Sequence, residues 1–356
     1  MSWTKPIYSK SKVDWAGKIL IDLNASKEDK KEAFLILNNW RASHDYPNHI
    51  FKKRLRSVSK KIDENSITGG RLKRVRSILR KLGRSYDGKK PTMKFSRMQD
   101  IGGCRVVLSN SKLCEQFYDK YYLKGDLKHE KVRVYDYIAN PKKDGYRGIH
   151  VIYKYKSQKK GKEIFNGLLI EIQIRSKLQH IWATSLEVVD NFTGQAIKFG
   201  EGLEKWKEFF RLVSCAFAIM EYRQRVPDVS YSKEELYKKI EELESELCVL
   251  DKMIGWAKSI ETIKSMKKQG KGHYFLLELD TDRQQLVIRA YTKEQQEKAL
   301  EQYQISEEKI ENRKEFDVVL VSANNIGDLE KAYPNYFVDV KGFLNKLEYL
   351  LKKVKK

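Results

Sequence analysis

Residues 169–175 (LIEIQIR) constrain this chain more than any other segment. From Ile170 on, apolar and polar residues alternate, with Ile170, Ile172 and Ile174 on one face and Leu169, Glu171, Gln173 and Arg175 on the other. Successive side chains of an extended strand point to opposite sides, so this period of two predicts a β-strand. A carboxylate in the middle of such a strand is costly to bury without a partner. A cation is one such partner. A second carboxylate from a neighbouring strand would complete a hard oxygen site suited to Mg²⁺ bound to phosphates.

Three further segments, CRVVLS, VRVYDYI and IHVIYKYK, have the same extended pattern and supply neighbours for that strand. Helical spacing surrounds them. Residues 27–43 place Phe34, Leu35, Leu37 and Trp40 at helical intervals. A basic helix is expected from about Phe51 to Lys61, then a loop ending in Gly69-Gly70. A second basic helix is expected over 71–82, with Val75, Ile78, Leu79 and Leu82 on its buried stripe. Helices resume at about 176–190 and 201–223. Helices, then strands, then helices make the fold class α+β. A composition shift near Pro227 divides the chain into residues 1–226 and a smaller α/β module over 227–356, with strands at HYFLLELD, QQLVIRAY and FDVVLVSA.

Residues 1–15 contain no apolar run that could serve as a signal peptide, and no stretch approaches a membrane span. The expected compartment is the cytoplasm, with no membrane or DNA partner. Cys104, Cys114, Cys215 and Cys248 show no metal-ligand spacing and are expected to be reduced, buried thiols.

The net charge of +23 is unevenly placed: residues 51–100 alone carry +13 and residues 201–356 carry zero. Such a local excess predicts a polyanion surface, and its density exceeds what the phosphates of one nucleotide need. The cations over 51–97 that would form it are Lys52, Lys53, Arg54, Arg56, Arg74, Arg76, Arg80, Lys89 and Lys90. A solvated helix face is the alternative for the arginines of 71–82.

Two other segments bring polar groups beside the strands. Asp100 ends a loop ahead of Gly102-Gly103, where a lone aspartate also reads as a turn residue. The loop DYIANPKKDGYRGIH mixes Lys142, Lys143, Arg147, Tyr137 and Tyr146 around Pro141 and Gly145; an ordinary exposed hairpin has similar composition.

GRLKRVRSILRKL, RMQDIGGCRVV, DYIANPKKDGYRGIH and EIQIRSKLQHIWA, in that order and at these separations, closely resemble the RelA/SpoT synthetase domain, over roughly residues 30–225. The resemblance implies a mixed β-sheet of nucleotidyltransferase type flanked by helices, and transfer of pyrophosphate from ATP to the 3′-hydroxyl of an acceptor. It implies that Asp100 and Glu171 hold Mg²⁺, the glutamate also helping to deprotonate the hydroxyl. Arg71, Lys73, Ser77 and Lys81 match an ATP-binding helix, and Arg105 with Arg71 would sandwich adenine. Lys142, Tyr146 and His150 match the acceptor loop, whose tyrosine stacks on a base; Gln173, Arg175 and His180 match the rest of that pocket. No counterpart of the hydrolase half of longer members is expected, and His44-Asp45 is expected to be a loop or helix end.

DGYRGIH and LQHIWATSLE resemble the toxic branch of the family, including fused toxin–antitoxin (CapRel-like) phage-defence proteins. That resemblance, with the basic excess, makes the 3′-CCA end of tRNA the expected acceptor and translation the expected target. The alternatives are an alarmone synthetase using GDP, GTP or adenosine nucleotides to make (p)ppGpp-type products, and an inactive RNA-binding protein. Fused members carry a YxxY motif near the C-terminus, matched here by Tyr333 and Tyr336. It implies an antitoxin-like module over 227–356 that plugs the nucleotide site until a partner, in defence a phage protein, binds it. Two tyrosines packed as core anchors is the alternative.

Overall fold

The computed structural model describes residues 3–85, 93–125, 127–192, 204–247, 249–250, 253, 274–280, 285–292, 294–309, 316–322 and 340–354. Lys89, Lys90, Cys248, Tyr333 and Tyr336 lie outside the described residues. The chain separates into two compact units, one of residues 1–135 with 149–174 and the other of residues 136–148 with 175–356.

In the first unit, α1 (Lys10–Ile19) and α2 (Lys27–Ser43) begin at serine caps, Ser9 and Ser26, whose hydroxyls accept from backbone N–H groups of the first turn. α2 buries Ala33, Ile36, Leu37 and Trp40, while Leu35, expected inside, is exposed. α3 (Asp45–Ser59) begins earlier than its basic stretch. It buries Tyr46, Phe51, Leu55 and Val58 and leaves Lys53, Arg54 and Arg56 in solvent. Burial of Phe51 and of Leu55 contributes about 1.5–3 kcal/mol each. His44 joins α2 to α3, and its buried ring nitrogen Nδ1 lies 2.7 Å from the Trp40 carbonyl oxygen.

A five-stranded sheet has the order β1-β2-β5-β4-β3, from β1 (Ile67–Leu72), β2 (Gly102–Leu108), β3 (Glu130–Asp136), β4 (Ile149–Lys154) and β5 (Leu169–Ser176). The mixed sheet flanked by helices expected from the sequence is present. β1 corrects two details. The Gly69-Gly70 segment, expected as a loop, is strand, and so is Arg71; helix α4 starts only at Val75 and ends at Leu82. Antiparallel pairing of Gly70 with Cys104 and Arg71 with Gly103 overrides the local helical spacing. The glycines permit close packing. A β-carbon at Gly70 would lie 3.2 Å from Lys52 Cδ, and one at Gly102 3.3 Å from His44 Cβ, so α3 lies directly over this sheet face. α5 (Ser111–Tyr118) follows β2, capped by Asn110.

In the second unit, α6 (Lys177–Phe192), α7 (Glu204–Met220), α8 (Lys233–Leu247) and the C-terminal helix, α10 (Lys341–Val354), share one core. Trp182, Phe210, Phe217, Leu236, Ile240, Phe343 and Leu347 meet there, with Phe210 and Phe343 stacked at 5.9 Å. Helices before and after residue 227 thus pack on one another. The unit also holds a three-stranded antiparallel sheet of order β7-β6-β8, from β6 (Tyr274–Asp280), β7 (Gln285–Tyr291) and β8 (Phe316–Ser322). On it, α9 (Gln296–Lys309) buries Ala299 and Tyr303 with Leu276 and Tyr291. Cys104, Cys114 and Cys215 are buried free thiols, as expected. Among the described residues, no helix is long and apolar enough to cross a membrane.

Candidate active site

The alternation of β5 separates the two faces of the large sheet as the sequence predicts. Ile170, Ile172 and Ile174 are fully or almost fully buried, and Ile170 lies on the same side as Gly102 and α3. Glu171 and Gln173 point the other way, joined by His150 and Ile152 through the β4–β5 register, His150 opposite Gln173 and Ile152 opposite Glu171. Arg71, Gly103 and Arg105 share this second face on β1 and β2, Arg71 being opposite Gly103. The absence of a side chain at Gly103 opens the face between the two arginines.

Asp100 stands in the turn just ahead of β2, and β2 is the neighbour of β5. Strand order therefore brings together two acids that are 71 positions apart in the chain, and the charge of Asp100 acts on Glu171. Lys73 Nζ donates to Asp100 Oδ2 and Lys81 Nζ to Asp100 Oδ1, each at 2.9 Å. Burial pushes the Asp100 carboxyl up, but the two ammonium groups outweigh it and hold the group well below the usual carboxylate range. Burial is also the main influence on Lys73, pulling it below the ordinary lysine value against the attraction of Asp100.

Glu171 is tied differently. Its Oε1 lies 2.9 Å from His150 Nδ1, and its Oε2 accepts from Gln173 Nε2 at 2.6 Å. Burial raises its pKa and His150 lowers it; with the Gln173 amide adding to the histidine and Asp100 opposing, the net direction is down. Both acids are thus held ionised with their oxygens presented in fixed directions.

Lys73 lies in the connection between β1 and α4 rather than on a helix. Its backbone is held by an N–H bond to Ile101 O at 2.7 Å, and its carbonyl accepts from Arg41 Nε at 2.6 Å. On α4, Ser77 and Lys81 are one turn apart on a common face with Arg74 at the N-cap. Val75, Ile78 and Leu82 anchor the opposite face. The expected single ATP-binding helix is in fact a strand end, a short connection and a helix, because β1 pairing takes Arg71.

The cations expected to form one RNA surface are divided between two helices. Lys52, Lys53, Arg54 and Arg56 belong to α3, which covers the face opposite to Glu171. Arg74, Arg76 and Arg80 belong to α4, which carries Lys81 to Asp100. Lys52 is half-buried over Gly70 rather than free in solvent.

The acceptor-type loop, residues 136–148, belongs to the second unit. Gly145 has φ of +93°, a conformation that favours glycine, and the turn is closed by its N–H to Lys142 O at 2.9 Å. Tyr146 OH accepts from Arg175 Nη2 at 2.8 Å, and the guanidinium carbon lies 5.1 Å from the ring centroid. Lys142 Nζ lies 5.1 Å from the same ring and 4.5 Å from the Tyr137 ring. Tyr137 itself meets Tyr146 edge-on at 5.8 Å. Arg175 therefore joins Tyr146, while Gln173 joins Glu171. His180 lies in the first turn of α6.

Sequence reasoning named Tyr137 and Arg147 in this loop but assigned neither of them a role. Tyr137 was visible as an aromatic nine residues before Tyr146. Arg147 was visible as a charge between two glycine-rich turns, but its burial is a tertiary fact.

Two carboxylates from adjacent segments suit Mg²⁺, which is ordinarily held by one or two acids together with substrate phosphates. Among the described residues no group of three or more His, Cys, Asp or Glu that could hold a metal ion forms, and Asp100 and Glu171 could contribute two carboxylates.

Residues 70–189 match the family model described as "Region found in RelA / SpoT proteins". The chain is 34% identical over 115 residues to the GTP pyrophosphokinase YjbM of Bacillus subtilis, covering 32% of this chain and 51% of that one. It is 31% identical over 136 residues to a GTP pyrophosphokinase of Photobacterium angustum, covering 38% of this chain and 16% of the other. The chain thus spans about half the length of the first relative and a small part of the second. Among solved structures, small alarmone synthetase 1 from Bacillus subtilis bound to its product pppGpp aligns over 50% of this chain and 89% of its own, at 26% identity and a TM-score of 0.42.

Proposed function

We propose, from a RelA/SpoT region at residues 70–189, that this chain is an ATP-dependent pyrophosphokinase acting on the 3′-hydroxyl of a purine nucleotide. The observation that carries the reading is the polar sheet face on which Asp100 and Glu171 meet Lys73, Lys81 and His150.

Transfer of this kind is mostly positioning and neutralisation of charge on phosphate oxygens. Lys73 and Lys81 turn from Asp100 toward the ATP phosphates, and Ser77 on the same helix face adds a donor. Arg71 and Arg105 offer guanidinium planes to adenine across the gap left by Gly103. Asp100 and Glu171 would hold Mg²⁺, which when bound would neutralise charge at the phosphates. Glu171, oriented by His150 and Gln173, accepts the proton of the acceptor hydroxyl. The acceptor oxygen bonds to the β-phosphorus of ATP, the bond from that phosphorus to the α,β-bridging oxygen breaks, and AMP leaves. Tyr146, steadied by Arg175 and Lys142, is a stacking platform for the acceptor base.

GDP or GTP is the acceptor best supported, because the relatives of known name are GTP pyrophosphokinases and α3, which carries several of the cations that suggested RNA, lies behind the sheet. The second reading is the 3′ end of tRNA, favoured by the +13 charge of residues 51–100 and by Arg74, Arg76 and Arg80 on the helix that also carries Lys81. In that reading the chain is a translation-blocking toxin of phage defence. Residues 227–356 then act as its restraint through Tyr333 and Tyr336, released by a phage protein.

One assay tests both. Purified full-length chain is incubated with Mg²⁺ and γ-labelled ATP, separately with GDP, GTP, AMP and deacylated tRNA. Label in the guanosine products supports the first reading, and label on tRNA alone supports the second. No transfer with any acceptor, with Asp100→Asn behaving identically, overturns both and leaves an RNA-binding protein.

A further inference from the structure

Arg147 follows the acceptor tyrosine in sequence, yet only 5% of it is exposed. Its Nε donates to Ser214 Oγ at 3.2 Å, while Nη1 and Nη2 are buried and find no hydrogen-bond partner among the described residues. Guanidinium stays charged under all ordinary conditions, so burying it this way costs stability that an apolar side chain of similar length would not. The groups facing it are informative. Arg147, Gln179, Ser214 and Glu221 line one small cavity with Trp182 and Phe217; burial pulls the guanidinium below its ordinary value, and Cys215 and the Glu221 carboxylate oppose that. Glu221 is fixed in turn, accepting from Ser176 Oγ at 3.0 Å.

Ser214 connects this buried charge to the loop. Its hydroxyl donates to Gly145 O at 2.6 Å and accepts from Arg147 Nε, so one side chain of α7 holds the residues immediately before and after Tyr146. The backbone there has no slack. A β-carbon at Gly145 would lie 2.9 Å from Ser214 Cβ and 3.1 Å from Trp182 Cζ2.

We propose that Arg147 is a positioning residue: through Ser214 its side chain is tied to the Gly145 carbonyl on the other side of Tyr146, and Glu221 supplies the balancing charge across the cavity, so that the tyrosine ring meets the acceptor base in one fixed pose. This rests on the reading of Tyr146 as the acceptor platform. A side chain kept only for packing would not need a charge here. One kept for pose must hold the loop by directional bonds, which guanidinium provides.

The test uses the full chain and Arg147→Met, Arg147→Lys, Ser214→Ala, Glu221→Gln and Arg147→Met/Glu221→Gln. 3-Fluorotyrosine is incorporated, and the Tyr146 resonance is assigned with Tyr146→Phe. The expected fluorine signal is a single line in the parent and a broadened or split one in Arg147→Met and Ser214→Ala. Arg147→Lys should recover part of the line shape. A sharp, unshifted Tyr146 line in Arg147→Met overturns the proposal whether or not any acceptor is found. With an acceptor in hand, Arg147→Met should lower acceptor kcat/KM roughly ten- to a hundred-fold, through acceptor KM, with ATP KM unchanged. Equal losses for ATP and acceptor would mark a purely structural role and overturn it. Thermal unfolding supplies the remaining arm: Glu221→Gln should cost more alone than in the Arg147→Met background, and additive costs would remove Glu221 as the balancing charge. An inert parent enzyme would count against the proposed function only, because the fluorine and unfolding arms need no turnover.

Discussion

Lys73 Nζ and Asp100 Oδ2 stand 2.9 Å apart, a pairing that places an ammonium where a divalent cation would otherwise bind the carboxylate. Lys81 occupies the other oxygen in the same way. Mn²⁺ alone should therefore bind weakly and should bind more tightly once a non-hydrolysable ATP analogue draws the lysines to its phosphates. Removing one competing ammonium in Lys81→Met should tighten nucleotide-free Mn²⁺ binding on the order of ten-fold, the equivalent of one charge-assisted hydrogen bond of about 1.5 kcal/mol. The same change should weaken the ATP analogue. Electron paramagnetic resonance of free Mn²⁺ checks the first effect and calorimetry the second; unchanged Mn²⁺ affinity would mean the lysines do not compete.

Glu171 is the expected proton acceptor, and Glu171→Gln keeps its shape while removing that capacity. Transfer should fall roughly 10²- to 10⁴-fold, with circular dichroism unchanged. His150→Gln should give a smaller loss, since it removes one of two groups that orient the carboxylate.

His44 carries a pH prediction for stability rather than activity. Burial lowers its pKa from 6.5 to about 4, although the Trp40 carbonyl partly offsets this. The unfolded chain thus takes up a proton below pH 6.5 while the folded chain does not until about pH 4. Its contribution is complete above pH 6.5 and is lost as the pH falls toward 4, to a total of about 3 kcal/mol. Urea unfolding of the parent and of His44→Gln from pH 7.5 to 4.5 should show a shallower acid slope in the variant. Taking the difference between the two curves limits the influence of Asp45, whose burial pushes its own carboxyl up.

Gly145→Ala should destabilise the chain by about 1–3 kcal/mol, because it combines a positive φ with overpacking. The loss should appear in thermal melting and in acceptor KM, while ATP KM stays unchanged.

Charge removal on α3 separates the two acceptor readings. Because α3 lies across the sheet from Glu171, Lys53→Gln/Arg54→Gln/Arg56→Gln should leave transfer to GDP or GTP unchanged. An RNA lying against α3 would show itself as a salt dependence of binding that flattens by about one unit of slope per cation removed.

Much of the fold was legible because its signals are local. Apolar spacing marked α2, and the alternation in 169–175 marked β5 and told which side of it would carry Glu171. β1 was not legible. GGRLKRVRSILRKL has glycines that suggest a loop and a spacing that suggests a helix; only hydrogen bonding to β2, more than thirty residues away, makes its first residues a strand. The charge excess was legible too, but not its division. Helical spacing shows which α3 residues are exposed, not which sheet face the helix covers.

The sequence by itself determined the residue types of the site: two acids, a set of lysines and arginines, and a tyrosine loop, with Glu171 committed to the polar face by the period of its strand. Only the tertiary structure decided which cations serve the acids, that His150 and Gln173 hold Glu171, and that Arg147 is buried beneath its loop. The physical reason is range. Side-chain alternation and helix caps are set within a few bonds of each residue, whereas Lys73 meets Asp100 and Ser214 meets Gly145 only after strands pair and helices pack across separations of 27 and 69 residues.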